Sequence, residues 1–123
     1  MSEFEIIRNH FSRDYDRSDI NVGVGDDGAI LNIDQMIGSQ LVVSTDTIVE
    51  QTHFPEGTIA GNIARRAMCI NLSDMAAMGA LPLWFTLSLT LPGDKANEAW
   101  LSEFSSGLFE IASRYNCALI GGD

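Results

Sequence analysis

Apolar residues recur along this chain in two rhythms, one near 3.6 residues and one of two, and together they divide it into helices and strands. Phe4, Ile7 and Phe11 mark a helical period over Glu3 to Ser12. Asn21 to Val24 and Ala29 to Ile33 read as short strands, and Leu41 to Val49, rich in Val, Thr and Ile, as a longer one. Thr58 to about Gly79 is expected to be helical, with Gly79 a C-terminal stop and Pro82 just beyond it. Leu83 to Leu91 is a strand ended by Pro92-Gly93, Lys95 to about Tyr115 a second long helix, and Cys117 to Ile120 a final strand. The order βββαβαβ predicts an α/β (α+β) layer in which helices pack on a sheet.

Composition narrows the picture. The chain has 123 residues, 46% of them hydrophobic, and a net charge of −10, enough for one domain with a core of its own. No apolar run reaches the roughly 18 to 20 residues of a membrane span, and Met1-Ser2-Glu3-Phe4-Glu5 is acidic where a signal peptide is basic. A cytoplasmic location is the default expectation. With only seven Lys and Arg, neither nucleic acid nor an anionic membrane finds a basic face to bind. Cys69 and Cys117 are each flanked by apolar residues, as buried thiols are, and a disulfide between them is not favoured. The chain stops at Gly122-Asp123, directly after an apolar run, where a strand hands over to a functional loop. It therefore reads as the N-terminal part, residues 1–123, of a longer protein.

Four aspartates carry the candidate chemistry: Asp27, Asp46, Asp74 and Asp123. Each borders an apolar or glycine-rich stretch, where a carboxylate is costly unless a cation compensates it. A divalent metal answers that need. Gly23-Val24-Gly25-Asp26-Asp27-Gly28 matches the G-x-G-x-x-G dinucleotide fingerprint, with Asp46 at the ribose-binding distance. Two aspartates, however, stand where that motif receives a pyrophosphate, and the following residues read as strand. Asp27-Gly28 between apolar runs is also a two-residue hairpin turn signal.

In Leu41 to Val49, alternation places Ser44, Asp46 and Ile48 on one face and Thr45 and Thr47 on the other. This oxygen-rich row suits a hard cation such as Mg²⁺, or else belongs to an edge strand whose hydroxyls face water. Asp74 has Ile70, Asn71, Ala77 and Met78 as helical neighbours, on a stripe running back through Ala67 and Ile63. On that core-facing stripe its charge needs a partner, a proton or a metal. The alternative is that Ser73 or Asp74 caps a second helix, Met75 to Gly79, after a break. Gly121-Gly122-Asp123 ends a strand with two residues that let a ligand approach the backbone, or it forms a turn. His53 alone is a weak signal.

Taken in order and spacing, Gly25-Asp26-Asp27, Ser44-Thr45-Asp46-Thr47-Ile48-Val49 with His53-Phe54, the stretch Asn71 to Ala80 with Pro82, and Gly121-Gly122-Asp123 resemble the thiamine-monophosphate kinase family. That family is related to aminoimidazole ribonucleotide synthetase, and a sister enzyme of that superfamily is the competing reading. The resemblance implies ATP-dependent phosphorylation of thiamine monophosphate to thiamine diphosphate without a P-loop, and no G-x-x-x-x-G-K-[ST] occurs here. It implies several Mg²⁺ ions on Asp27, Ser44, Thr45, Asp46, Asp74 and Asp123, with Asp46 and Asp74 central to catalysis. His53 would touch the thiamine substrate, and Tyr115, Gly122 and Asp123 the ATP. It also implies a homodimer in which the mixed sheets of two subunits form a barrel, and a C-terminal domain that completes the site. Gly28 departs from the Cys or Ala more usual in the family.

Overall fold

The computed structural model describes residues 2–123. A short helix α1 (Glu3–Ile6) is opened by a capping box: Glu5 N donates to Ser2 Oγ and Ser2 N to Glu5 Oε2. The chain then widens into a π-turn at Ile7–Phe11, which buries His10 and Phe11. The predicted helix over Glu3 to Ser12 is thus correct in extent, but Phe4 stays 79% exposed and the buried face begins only at the π-turn.

A two-stranded antiparallel ribbon follows, β1 (Ile20–Val22) with β2 (Ile30–Leu31). Its register shifts between Ile20 and Val22, and a seven-residue connection replaces the expected two-residue turn. The residue that needs glycine there is Gly25, at φ +114°, while Gly28 adopts no positive φ. The element that follows Gly28 is strand β2 and not a helix, so the dinucleotide reading of Gly23, Gly25 and Gly28 fails on geometry.

Leu41 to Val49, predicted as a strand, forms none; only an isolated bridge joins Glu50 to Phe54. Leu41, Val43 and Val49 are exposed. A β-prone segment becomes a strand only when another edge supplies its hydrogen bonds, and among the described residues none does.

The rest is one packed unit. Helix α2 (Ala60–Ala77) leads to strand β3 (Trp84–Leu87), helix α3 (Glu98–Arg114) and strand β4 (Ala118–Gly122). Strands β3 and β4 pair in parallel, so α3 is the crossover of a βαβ unit. Both long helices end in a Schellman motif. In α2, Ala80 N reaches Met75 O and Gly79 N reaches Ala76 O, with Gly79 at φ +67°. In α3, Cys117 N reaches Ala112 O and Asn116 N reaches Ser113 O, with Asn116 at φ 50°. Asn97 Oδ1 caps the start of α3 by accepting from Trp100 N. The strands thus form two separate small sheets with helices packed on them, an α/β arrangement in which a single mixed sheet is not formed.

The core lies between α2 and α3, where Ile63, Ala64 and Met68 meet Leu101, Phe104 and Leu108, with Phe11 and Leu119 closing its sides. Cys117 is buried as expected, whereas Cys69 is exposed on α2; both are free thiols. An apolar flank does not tell which side of a helix a residue takes. Gly61 and Gly107 set the helix contact, since a Cβ on Gly107 would stand 2.5 Å from Gly61 O and 2.8 Å from its Cα. We expect Gly107→Ala to destabilise the fold by about 1–3 kcal/mol through this backbone clash. Urea unfolding checks it, and an unchanged midpoint at equal slope would refute it.

Candidate functional site

Helix α2 carries Asp74 in its last turn, and here the structure corrects the expectation of a buried carboxylate. The helix runs unbroken through Ser73 and Asp74, so neither caps a second helix. The stripe is buried at Ile63, half-buried at Ala67, Ile70 and Asn71, and exposed at Asp74, Ala77 and Met78. The N-terminal half of α2 packs on α3, and its C-terminal half projects beyond the core. Periodicity fixes the direction of a side chain but not where the neighbouring helix ends.

What Asp74 faces is the extended segment before Asp46. Asp74 and Ser44 line one open pocket of about 330 Å³, with Val42, Val43, Ala77 and Met78 as its apolar walls. Two residues far apart in sequence are thereby brought together. Thr45 and Asp46 follow on the exposed segment, where Asp46 Oδ1 accepts from Thr47 N at 2.8 Å. Asp27 sits in the exposed ribbon loop, whose turn is held by Asp27 N donating to Asp26 Oδ1 at 2.8 Å. His53 lies in a tight turn and accepts Val49 N at Nδ1, 2.8 Å away. That bond leaves its Nε2 as the proton-bearing nitrogen of the neutral ring. Lys95 Nζ on Glu50 fastens the base of the same turn at 2.6 Å.

Gly122 and Asp123 stand at the carboxyl end of β4. Gly122, at φ +131°, passes so close to the backbone of Leu87 that no side chain fits. Asp123 N donates to Leu87 O and Asp123 O accepts from Leu89 N, which carries the pairing one residue beyond the strand. Tyr115 caps α3 and is half exposed, at the opposite end of β4 from Asp123.

Two features escaped the sequence. The carboxyl group of Glu3 hydrogen-bonds that of Asp123, and this contact, with the like charge behind it, raises the Glu3 pKa. The partners come from opposite ends of the chain, and no local pattern announces the pair. The second is a node of Arg17, Asp19 and Trp84. Arg17 grips the Asp19 carboxylate with Nε at 3.0 Å and Nη2 at 2.7 Å, and Trp84 Nε1 donates to the same carboxylate at 2.9 Å. The guanidinium hydrogen bonds hold the Asp19 pKa below the usual carboxylate range, against opposing desolvation. Burial pushes the Cys117 thiol up to about 11, against the pull of the nearby Arg17.

The candidate donors are carboxylates and hydroxyls, the hard oxygen set that magnesium prefers. Among the described residues, Asp27, Asp46, Asp74 and Asp123 have no cationic partner. Their chemistry fits the ion. Ser44 and Asp74 line one pocket, while no group of three or more His, Cys, Asp or Glu is gathered for a metal among the described residues. No described helix is long and apolar enough to cross a membrane.

Comparison with known proteins agrees with this α/β unit. The chain belongs to the family described as AIR synthase related protein, N-terminal domain, which it matches over residues 25–123. Within that family, it is 45% identical to the thiamine-monophosphate kinase of Buchnera aphidicola from Acyrthosiphon pisum, over 99% of the chain and 37% of that protein. It is 46% identical to the thiamine-monophosphate kinase of Escherichia coli K12, over 98% of the chain and 36% of the relative. The thiamine monophosphate kinase of Aquifex aeolicus has a crystal structure that superposes with a TM-score of 0.58 at 27% identity, covering 73% of the chain and 34% of that structure. The chain thus spans little more than a third of the length of the curated relatives it matches.

The Arg17–Asp19 pair makes a prediction about acid stability. A carboxylate whose folded pKa lies below its unfolded value of about 3.9 adds stability above that pH and loses it as pH falls through the folded pKa. Asp19→Asn should therefore narrow the gap between urea midpoints measured at about pH 6 and about pH 3. An equal gap in both proteins would contradict it.

Proposed function

We propose that the protein phosphorylates thiamine monophosphate with ATP, giving thiamine diphosphate and ADP. The observation that carries this reading is the pocket shared by Ser44 and Asp74, in a chain aligned over nearly its whole length with thiamine-monophosphate kinases. In this reading residues 1–123 form the nucleotide-binding, metal-binding and dimerisation domain, and a C-terminal domain completes the site. The enzyme acts as a cytoplasmic homodimer, where ATP is available, and the two subunits' sheets close a barrel. Exposed Leu41, Val43 and Val49 support such an edge, since a second subunit would supply the ladder that this segment lacks.

Asp27, Ser44, Thr45, Asp46, Asp74 and Asp123 would hold several Mg²⁺ ions. When bound, magnesium neutralises charge between the two phosphate groups that must meet. A phosphate acceptor is already an anionic nucleophile, so the residues need abstract no proton; their work is to hold donor and acceptor in line. Asp74 would do so from the pocket wall it shares with Ser44, and Asp46 from two residues further along the exposed segment. His53, with Nδ1 committed to the backbone, offers its Nε2 proton to the thiamine substrate. Gly122 and Asp123, at the carboxyl end of β4, would lie at the ATP, and Tyr115 is a further ATP contact.

Phosphorus NMR of the full-length protein with Mg²⁺, ATP and thiamine monophosphate tests the reading. Thiamine diphosphate and ADP should appear together. Asp46→Asn and Asp74→Asn should each lower turnover by about a hundredfold or more while the circular dichroism stays that of the parent. Near-normal turnover in both variants would remove the aspartates from the mechanism. Unchanged thiamine monophosphate from a folded protein would reassign the acceptor to that of a sister enzyme.

A further inference from the structure

The ribbon β1–β2 bears Asp27 at its tip, and the sheet β3–β4 bears Gly122-Asp123 at its carboxyl end. Among the described residues no backbone hydrogen bond joins the two sheets. A ribbon with two paired positions is not stable alone. Its placement therefore depends on side chains, and most of the polar links converge on Arg17 and Asp19, with Leu119 N donating to the Tyr15 hydroxyl at 3.2 Å as a further one. Beyond the grip on Asp19, Arg17 Nη1 donates to Asn116 O at 2.9 Å, just ahead of β4. Asp19 O accepts from Asn32 N at 2.9 Å, just after β2, and Trp84 is the first residue of β3. One node thus touches the entry of β1, the exit of β2 and the starts of β3 and β4. The two side chains retain only 16% and 19% of their exposure.

A half-buried ion pair is a poor source of stability compared with apolar packing, but a forked guanidinium on a carboxylate fixes direction as well as distance. We infer that Arg17, Asp19 and Trp84 are positioning residues that set the Asp27 loop relative to the Asp123 end of β4, so that both bind one metal–nucleotide assembly. This inference rests on the proposed kinase reading. The node lies at the base of both elements and the acidic residues at their far ends. At about 3.3 Å per residue, Asp123 stands roughly 16 Å beyond Ala118. A rotation of about 4° at the node then displaces that end by about 1 Å, a misplacement of the size that costs about a hundredfold in rate.

The test measures Mn²⁺ binding to the full-length protein by the electron paramagnetic resonance of the free ion, alongside the KM for ATP. Asp19→Ala should raise the Mn²⁺ dissociation constant at least about tenfold and raise the KM for ATP. Asp19→Asn, which keeps one oxygen acceptor but breaks the fork, should fall between Asp19→Ala and the parent. Trp84→Phe keeps the ring and removes only the N–H donor; it should weaken Mn²⁺ binding in the same direction, and it decides the matter if Asp19→Ala does not fold. Parental Mn²⁺ affinity in folded Asp19→Ala, or in Trp84→Phe, with only a lower melting temperature, would overturn the positioning role and leave the kinase reading standing. Absence of Mn²⁺ binding by the parent protein would overturn both.

Discussion

A methyl group at Gly107 would collide with the backbone of Gly61, so α2 and α3 touch main chain to main chain. On that contact the rest of the molecule depends. It brings Ile63, Ala64 and Met68 of one helix against Leu101, Phe104 and Leu108 of the other, and little water remains between them. Helix α3 is also the crossover between two parallel strands, so its position on α2 fixes where β4 ends. Phe11 seals the flank by meeting Phe104 edge to face, with ring centroids 6.2 Å apart. Arg13 lies over the Phe109 ring at 3.8 Å. The N-terminal segment is thereby laid along α3, and Glu3 is delivered to Asp123.

Outside this core the chain is held by polar links. The ribbon, the oxygen-rich segment 44–47 and the His53 turn carry few buried side chains and several exposed carboxylates. A chain of net charge −10 with its acids gathered in such loops repels itself there. Divalent cations would relieve that repulsion. The same logic explains why the helices, and not the loops, bear the fold.

What the sequence disclosed follows the same division. The two long helices are legible because their apolar stripes are sustained and the end of the first is marked by Gly79; the Asn116 that ends the second gave no such signal. The final βαβ unit followed from alternation of period. The strand expected at Leu41 to Val49 was not legible as irregular chain, because its β propensity is real and only its hydrogen-bonding partner is missing. Asp74 was placed on the right stripe and at the wrong depth, since depth depends on how far α3 extends alongside. Cys69 is exposed for another reason: an apolar flank does not tell which side of a helix a residue takes. The Arg17–Asp19–Trp84 node and the Glu3–Asp123 contact join segments that no window of sequence contains together.

Exposure of Asp74 changes the physical argument for the site without weakening it. A buried carboxylate would have demanded compensation within the folded chain, and the metal would then have been part of the fold. An exposed one demands nothing, so the fold stands by its helices and the site is free to be filled only when substrate arrives. The pocket that Ser44 and Asp74 line together survives this change, because it rests on backbone placement and not on the energy of a stranded charge. The candidate oxygen donors accordingly lie on loops and on the last turn of α2, carried by a packed helical pair.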